Sequence, residues 1–167
     1  MTTIEHCEYT TPLGAVTGAW HDGRLVALAF SEHWDGIARR LRRRFGAFEQ
    51  RDGDPVPLQA TLDAYFAGDL AALDAVAVDP GGTDFQSAVW RSLRTVRTGG
   101  TTTYSALARQ VGSPSAVRAV GAANGANPIW LVIPCHRAIG ADGSLTGYAG
   151  GLERKRWLLQ HEGALLA

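Results

Sequence analysis

Hydrophobic positions along the first eighty residues change period several times, and each change marks an element. Two apolar runs, Leu13 to Trp20 and Arg24 to Phe30, are separated by His21-Asp22-Gly23. They predict two strands, because an Asp-Gly pair favours the tight turn of a hairpin. From Trp34 the period lengthens. Trp34, Ile37, Leu41 and Phe45 recur at helical spacing, with Arg39, Arg40, Arg42, Arg43 and Arg44 on the other faces, where they serve as a solvated surface or a grip on phosphate. Arg51 to Pro57 is polar and predicts a loop, Leu58 to Phe66 predicts a short helix ending near Gly68, and the alternation from Leu73 to Val78 predicts a third strand. Asp79-Pro80-Gly81-Gly82 reads as a linker. The expected first lobe, 1–80, is α/β, with a small antiparallel sheet plus helices; the second, 81–167, is mostly helical.

The second lobe opens with Thr83 as an N-cap, ahead of a helix carrying Phe85, Val89, Trp90 and Leu93 on one face. Thr98-Gly99-Gly100-Thr101 breaks that helix. Tyr104 to Val111 then predicts a short helix, Gly112-Ser113-Pro114 a turn, and Ser115 to Asn124 a second helix with Ser113 as cap and Pro114 in the first turn. Two short helices joined by a glycine turn form a helix-turn-helix, a frequent reader of the DNA major groove, although any small helical domain can contain one. Ala116, Ala119, Gly121, Ala122, Ala123 and Gly125 leave the second helix slim, and Arg118 is its one long cation. A slim helix can enter a narrow groove, where base edges are read with little sequence discrimination. Downstream, the five apolar residues Ile129 to Ile133 predict a buried strand or extended segment, which Pro134 stops for want of an N–H.

Composition narrows the classes. The chain has 167 residues, 46% of them hydrophobic, enough for one substantial core or two small lobes. Sixteen basic residues balance sixteen acidic ones, so bulk charge does not hold this protein to nucleic acid. Fifteen of the sixteen basic residues are arginine, whose planar fork suits phosphate. Cys7 and Cys135 lie far apart and share no C-x-x-C spacing, which favours a reduced, cytoplasmic setting. Met1 to Tyr9 is too polar for a signal peptide, and no apolar span is long enough for a membrane helix. His6, Cys7, His21 and His33 match no structural zinc spacing, so no metal is expected.

Cys135 is the candidate for chemistry. It ends the apolar run in Pro134-Cys135-His136-Arg137, beside a base and a cation that can raise its thiolate fraction. A buried cysteine after an apolar run is also an ordinary packing residue.

The string from Asn127-Pro128 through Pro134-Cys135-His136-Arg137 to Gly147-Tyr148-Ala149-Gly150-Gly151-Leu152 resembles the active-site signature of the O6-alkylguanine-DNA alkyltransferases, also called methylated-DNA–protein-cysteine methyltransferases. The likeness is strong from about Thr83 to Gly163. It implies a ribonuclease H-like first lobe, a winged-helix-like helix-turn-helix second lobe, and irreversible transfer of an alkyl group from O6-alkylguanine in duplex DNA to Cys135. The resemblance makes His136 the base on Cys135 through a water, Glu162 its orienting carboxylate, and Tyr104 a donor to guanine N3. Asn127 bridges the turn before the cysteine segment, the carbonyls of Cys135 and Ala138 and the N–H of Ala149 read the base, and Tyr148 lines the pocket. Arg118 fills the gap left by an extruded nucleotide, and Ser105, Ser115, Ala119, Ala122 and Ala123 face DNA. Ala138 and Ala149 are smaller or less polar than is usual in the family, and Asn124 and Trp130 also depart from it; all four bear on pocket shape. The partner implied is double-stranded DNA, with no membrane and a monomer in solution; clustering on DNA is left open. A damage sensor of the related alkyltransferase-like class would lack the cysteine, and a cysteine hydrolase or thiol-redox enzyme would have no use for the helix-turn-helix.

Overall fold

The computed structural model describes residues 1–165; the last two positions of the expected second lobe lie outside the described residues. The chain divides into two compact units. The first is Met1–Gly81 together with Pro128–Trp130, and the second takes the remainder of the described chain.

In the first unit, β2 (Val16–His21) and β3 (Arg24–Phe30) form the expected hairpin. Asp22 and Gly23 both take positive φ, 49° and 75°, as a type I′ turn requires. β1 (Thr2–Tyr9) lies antiparallel to β2, and β4 (Phe48–Asp52) lies parallel to β1, from Thr2 opposite Phe48 to His6 opposite Asp52. The sheet, ordered β3-β2-β1-β4, is therefore mixed and not wholly antiparallel as expected. Neither missing strand shows an apolar alternation. β1 buries only Ile4 and Tyr9, and β4 is polar or charged except for a half-buried Phe48, so backbone pairing rather than side-chain burial defines both. β4 also takes Arg51 and Asp52 out of the expected loop.

The helix α1 (Trp34–Phe45) buries Ile37 and Leu41, as its period predicts, and α2 (Leu58–Phe66), where a short helix was expected, buries Leu58, Leu62 and Tyr65. Arg44 pairs with the Asp79 carboxylate at 2.8 Å and donates to the Asp79 carbonyl at 2.7 Å, so this arginine of the stripe is a structural tie. The strand expected over Leu73–Val78 does not form. A 3-10 turn occupies Ala72–Ala75, and only Val78 bridges Leu25, because Pro80 has no N–H with which to extend the ladder.

The apolar run Ile129–Ile133 is buried throughout but is not a strand. Leu28 donates to the Pro128 carbonyl at 2.9 Å and Trp130 donates back to Leu28 at 2.8 Å, a single bridge on the outer edge of β3. Trp130 packs against Phe30 and His33, with ring centroids 5.8 and 5.7 Å away. Leu131 then takes φ of 69°, which costs a non-glycine residue about 1–2 kcal/mol and ends the extended run.

The second unit begins with α3 (Asp84–Thr95), closed at its N-terminus by a capping box: the Gln86 N–H donates to Thr83 Oγ1 at 3.1 Å, and the Thr83 N–H to Gln86 Oε1 at 3.0 Å. α3 buries Val89, Trp90 and Leu93, and the Trp90 indole donates to the Ala123 carbonyl at 2.8 Å. That bond ties α3 to α5 (Val117–Gly125). Between them lie β5 (Thr102–Thr103) and α4 (Tyr104–Gln110). α4 ends in a Schellman motif, with Gly112 donating to Arg109 at 3.0 Å and Ser113 to Ala108 at 2.9 Å. Gly112 sits at φ of 79°, which is why glycine stands there. α5 starts two residues later than expected, and its N-cap is Ala116 without a side-chain cap. Ser113 does not cap it; its carbonyl instead closes a turn with the Ala116 N–H at 2.9 Å. β6 (Ala138–Ile139) runs parallel to β5, and α6 (Leu152–His161) closes the unit. Among the described residues no helix is long and apolar enough to cross a membrane.

Candidate active site

Three local features deliver Cys135. The Asn127 side chain, itself buried, donates to the Ile133 carbonyl at 2.8 Å and holds the turn between α5 and the cysteine segment. Asn124, on α5, reaches the Cys135 carbonyl at 3.4 Å. Pro134 then opens a 3-10 turn over Cys135–Arg137, which leads into β6. Because β5 pairs in parallel with β6, the end of β5, where Tyr104 begins α4, is drawn to the same region as the cysteine segment.

His136 is fully buried, and its Nε2 lies 2.8 Å from Glu162 Oε2. Glu162 caps the C-terminus of α6, a place where the helix dipole disfavours negative charge. A second Schellman motif, built on Gly163 at φ of 81°, ends the helix there and leaves the carboxylate pointing inward. Arg137 supplies the compensation: Nε donates to Glu162 Oε1 at 2.8 Å, and a second guanidinium nitrogen to Oε2 at 3.2 Å. A third bond, 2.7 Å to the Val96 carbonyl, anchors the guanidinium.

These contacts fix the protonation states. Burial works against ionisation of Glu162, but hydrogen bonds from His136 and Arg137, with the guanidinium charge, hold its carboxyl well below the usual carboxylate range. Burial lowers the His136 pKa despite the hydrogen bond to Glu162, so the ring is neutral at neutral pH. A neutral imidazole beside a carboxylate must carry its proton on Nε2, which assigns Nδ1 as the free lone pair. That Nδ1 is buried with no hydrogen-bond partner among the described residues. Burial pushes the Cys135 thiol up, against the lowering effects of Asn127 and Lys155, so the resting sulfur is protonated and needs a base. The Tyr148 and His136 rings lie nearly perpendicular, centroids 6.5 Å apart.

Residues 84–164 match the family described as 6-O-methylguanine DNA methyltransferase, DNA binding domain. A methylated-DNA–protein-cysteine methyltransferase of Mycobacterium tuberculosis is 56% identical over 167 residues, 95% of this chain and 92% of that one. A protein of the same description from Salmonella typhimurium is 47% identical over 160 residues, covering 93% and 94%. The chain belongs to the methylated-DNA–protein-cysteine methyltransferase family. The crystal structure of the Mycobacterium tuberculosis O6-methylguanine methyltransferase aligns with a TM-score of 0.81 at 40% identity, over 96% of this chain and 93% of that one.

Of the residues that likeness to the methyltransferase family picks out, the fold gathers Cys135, His136, Glu162, Asn127 and Ala138 into one buried set. Tyr104 is half-buried; its hydroxyl lies 3.4 Å from the Thr146 carbonyl and 3.3 Å from Thr146 Oγ1. Ala149 is exposed on the loop after Tyr148. Arg118, Ala119 and Ala122 are exposed on α5, Ser115 is exposed just ahead of it, and Ser105 is half-buried at the start of α4. Ala123 does not fit the DNA-facing set. Its side chain is 2% exposed and its carbonyl serves Trp90, because a residue one position from Ala122 points some 100° away around the helix.

In the first unit, His6 contacts Gln50 and the Arg51 carbonyl, His21 packs at a tilt against Phe45, and His33 packs at a tilt against Trp130. No three His, Cys, Asp or Glu side chains converge as metal ligands among the described residues. Asn124, read from the sequence only for its bearing on pocket shape, holds the Cys135 carbonyl through its amide, and Lys155, whose signal was its rarity, escaped sequence reading.

Proposed function

We propose that the protein repairs alkylated DNA directly, moving the alkyl group from guanine O6 to its own Cys135. The observation that carries this reading is the buried array of Cys135, neutral His136 with an unpartnered Nδ1, and Glu162 held ionised by Arg137. His136 Nδ1 takes the thiol proton, directly or through one water, and the imidazolium is stabilised by Glu162. The thiolate then attacks the alkyl carbon. The carbon–O6 bond breaks, its electron pair stays on guanine, and Tyr104 neutralises the developing charge by donating to N3. The product thioether has no easy leaving chemistry, so one molecule is consumed per lesion and no turnover cofactor is needed.

Cys135 is 5% exposed, and an O6 substituent inside a duplex is hidden in the base stack, so the nucleotide must be extruded to meet the sulfur. Extrusion costs a few kcal/mol, less for a poorly paired lesion. Arg118, exposed on a helix of small residues, is suited to fill the vacated space. We assign Ser115, Ala119 and Ala122 to the DNA face beside it, Ser105 to the edge of α4, and base reading to the carbonyls of Cys135 and Ala138, the N–H of Ala149 and the Tyr148 wall. On this reading α4 and α5 act as a helix-turn-helix in a winged-helix-like catalytic lobe, and residues 1–80 form a supporting ribonuclease H-like lobe. The working form is a cytoplasmic monomer.

The test is to incubate the protein with duplex DNA bearing O6-methylguanine and to weigh it intact. A permanent gain of one methyl group, mapped to Cys135 and absent in Cys135→Ser, is expected. Binding without mass gain would identify a damage sensor, and neither would favour cysteine hydrolase chemistry.

A further inference from the structure

The Tyr104 hydroxyl, which donates to guanine N3 on the alkyl-transfer reading, is already engaged in the resting protein by one residue, Thr146. It donates to the Thr146 carbonyl at 3.4 Å and accepts from Thr146 Oγ1 at 3.3 Å. A well-formed hydroxyl bond measures about 2.5–3.0 Å, so both contacts are weak and easily exchanged. The two residues are placed by separate devices. Tyr104 opens α4, whose cap, the Thr103 hydroxyl, accepts from the Ala106 N–H at 3.0 Å, and Thr103 pairs with Ile139 in the β5–β6 ladder. Just after Ile139 the chain folds back on itself: the Gly140 N–H donates to the Ser144 carbonyl at 2.9 Å and Ser144 Oγ donates to Asp142 Oδ1 at 2.6 Å. Thr146 follows that turn. Its carbonyl has a stronger donor than Tyr104, because Lys155 Nζ reaches it at 2.7 Å, along with the carbonyls of Ala138 at 2.6 Å and Gly147 at 3.2 Å.

When Tyr104 turns its proton from that carbonyl to a docked base, no acceptor is stranded, since Lys155 still serves it. The Thr146 hydroxyl can meanwhile stay on the Tyr104 oxygen. A phenol has one O–H and two lone pairs, so it can give to N3 and take from Thr146 at once. We propose that Thr146 is a positioning residue for alkyl transfer: its hydroxyl donates to the Tyr104 oxygen while Tyr104 donates to guanine N3. The proposal deepens the alkyl-transfer reading and rests on it. As the carbon–O6 bond breaks, the electron pair left on guanine makes N3 a stronger acceptor that draws on the Tyr104 O–H. The Tyr104 oxygen gains negative character, and the Thr146 donor stabilises it. Chained hydrogen bonds polarise one another in this way, by roughly 10–30% per bond. No proton leaves its oxygen. Both bonds strengthen only as charge develops, so the gain falls on the transition state rather than on base binding. Tyr104 is half-buried and Thr146 exposed, so water can serve the Tyr104 oxygen in the free protein. A docked base and duplex cover that edge, and Thr146 is then the donor that the chain itself supplies. Its branched Cβ restricts the rotamers open to the hydroxyl.

Thr146→Val keeps the shape of the side chain and the backbone carbonyl and removes only the hydroxyl, at an exposed position where the core is not disturbed. Single-turnover methyl transfer from O6-methylguanine duplex should slow about three- to tenfold, the size of one neutral hydrogen bond, with duplex affinity unchanged. Thr146→Ser should recover most of the rate. On duplex carrying O6-methyl-3-deazaguanine, which has a carbon in place of N3, Thr146→Val and the wild type should react equally fast, and in a Tyr104→Phe background the valine should add nothing. A Thr146→Val protein as fast as the wild type on O6-methylguanine overturns the proposal. So does an equal slowing on the 3-deaza substrate or in Tyr104→Phe, either of which would mark a merely structural role. Wild-type protein that takes no methyl group from O6-methylguanine would instead overturn the alkyl-transfer reading, and this proposal with it.

Discussion

Arg137→Met isolates the buried ion pair. The Glu162 side chain is 0% exposed and that of Arg137 7%, so neither charge can turn to water when its partner is removed. The substitution deletes two charge-assisted bonds to the carboxylate, 2.8 and 3.2 Å long, each worth about 1.5–3 kcal/mol in mutational series. It also takes the 2.7 Å donor from the Val96 carbonyl. Methionine restores some apolar packing, and the expected net cost is about 3–5 kcal/mol, a large fraction of a typical domain stability of about 5–15 kcal/mol. Glu162→Met should cost a similar amount for the mirror-image reason. The double variant buries no unmatched charge, so it should be more stable than either single one, with a coupling of about 3 kcal/mol. Urea denaturation followed by circular dichroism measures all four proteins, with methyl-transfer rates recorded alongside. Transfer should stay slow in the double variant even as stability returns, since His136 has lost its orienting acceptor. Additive single costs, or an Arg137→Met cost under about 1 kcal/mol as for a solvated pair, would refute the reasoning.

Four further outcomes follow from the site and the helix beside it. Because burial depresses the His136 pKa, the ring stays neutral as pH falls to its ordinary value of about 6.5, and the transfer rate should hold to there and drop only below it; a drop centred above about 6.5 would contradict the assignment. The Glu162 carboxyl is depressed as well, so its stabilisation is complete above the ordinary value of about 4.3 and lost as pH falls further, which acid titration of the fold would register. Asn127→Ala leaves the Ile133 carbonyl without its 2.8 Å donor; a cost of about 1–3 kcal/mol is expected, with the Cys135 thiol moved up, read from the pH profile of its alkylation. Arg118→Ala, at an exposed site, should change stability by less than about 0.5 kcal/mol and slow transfer from duplex DNA while sparing transfer from the free O6-alkylguanine base; equal effects on both substrates would remove Arg118 from base extrusion.

Elements with a periodic apolar face were legible in the sequence, and α1 and α3 with its Thr83 cap lie where that face puts them. β1 and β4 were not, because an edge strand like Phe48–Asp52 satisfies its backbone through a distant partner and carries no apolar signature of its own. The run Ile129–Ile133 misled in the opposite sense: its burial was readable, its path was not, since nothing in a string of apolar residues announces that Leu131 adopts a left-handed backbone. At the site, the residue types around Cys135 could be read from Pro134-Cys135-His136-Arg137, whereas the attachment of Arg137 to Glu162 and of Lys155 to three carbonyls depends on contacts across about 8 to 25 positions that local spacing does not encode.

The outer edge of β3, Arg24-Leu25-Val26-Ala27-Leu28-Ala29-Phe30, is closed by Val78 at one end and by Pro128–Trp130 at the other. A ribosome that has released only the first eighty-odd residues has therefore made a sheet whose most apolar strand is half uncovered, and the missing cover emerges some fifty residues later. An open apolar edge is a template for pairing with another nascent chain. A fragment ending at Gly81 should accordingly aggregate, and supplying Asn127–Leu131 as a peptide should rescue it only if it competes with that self-association.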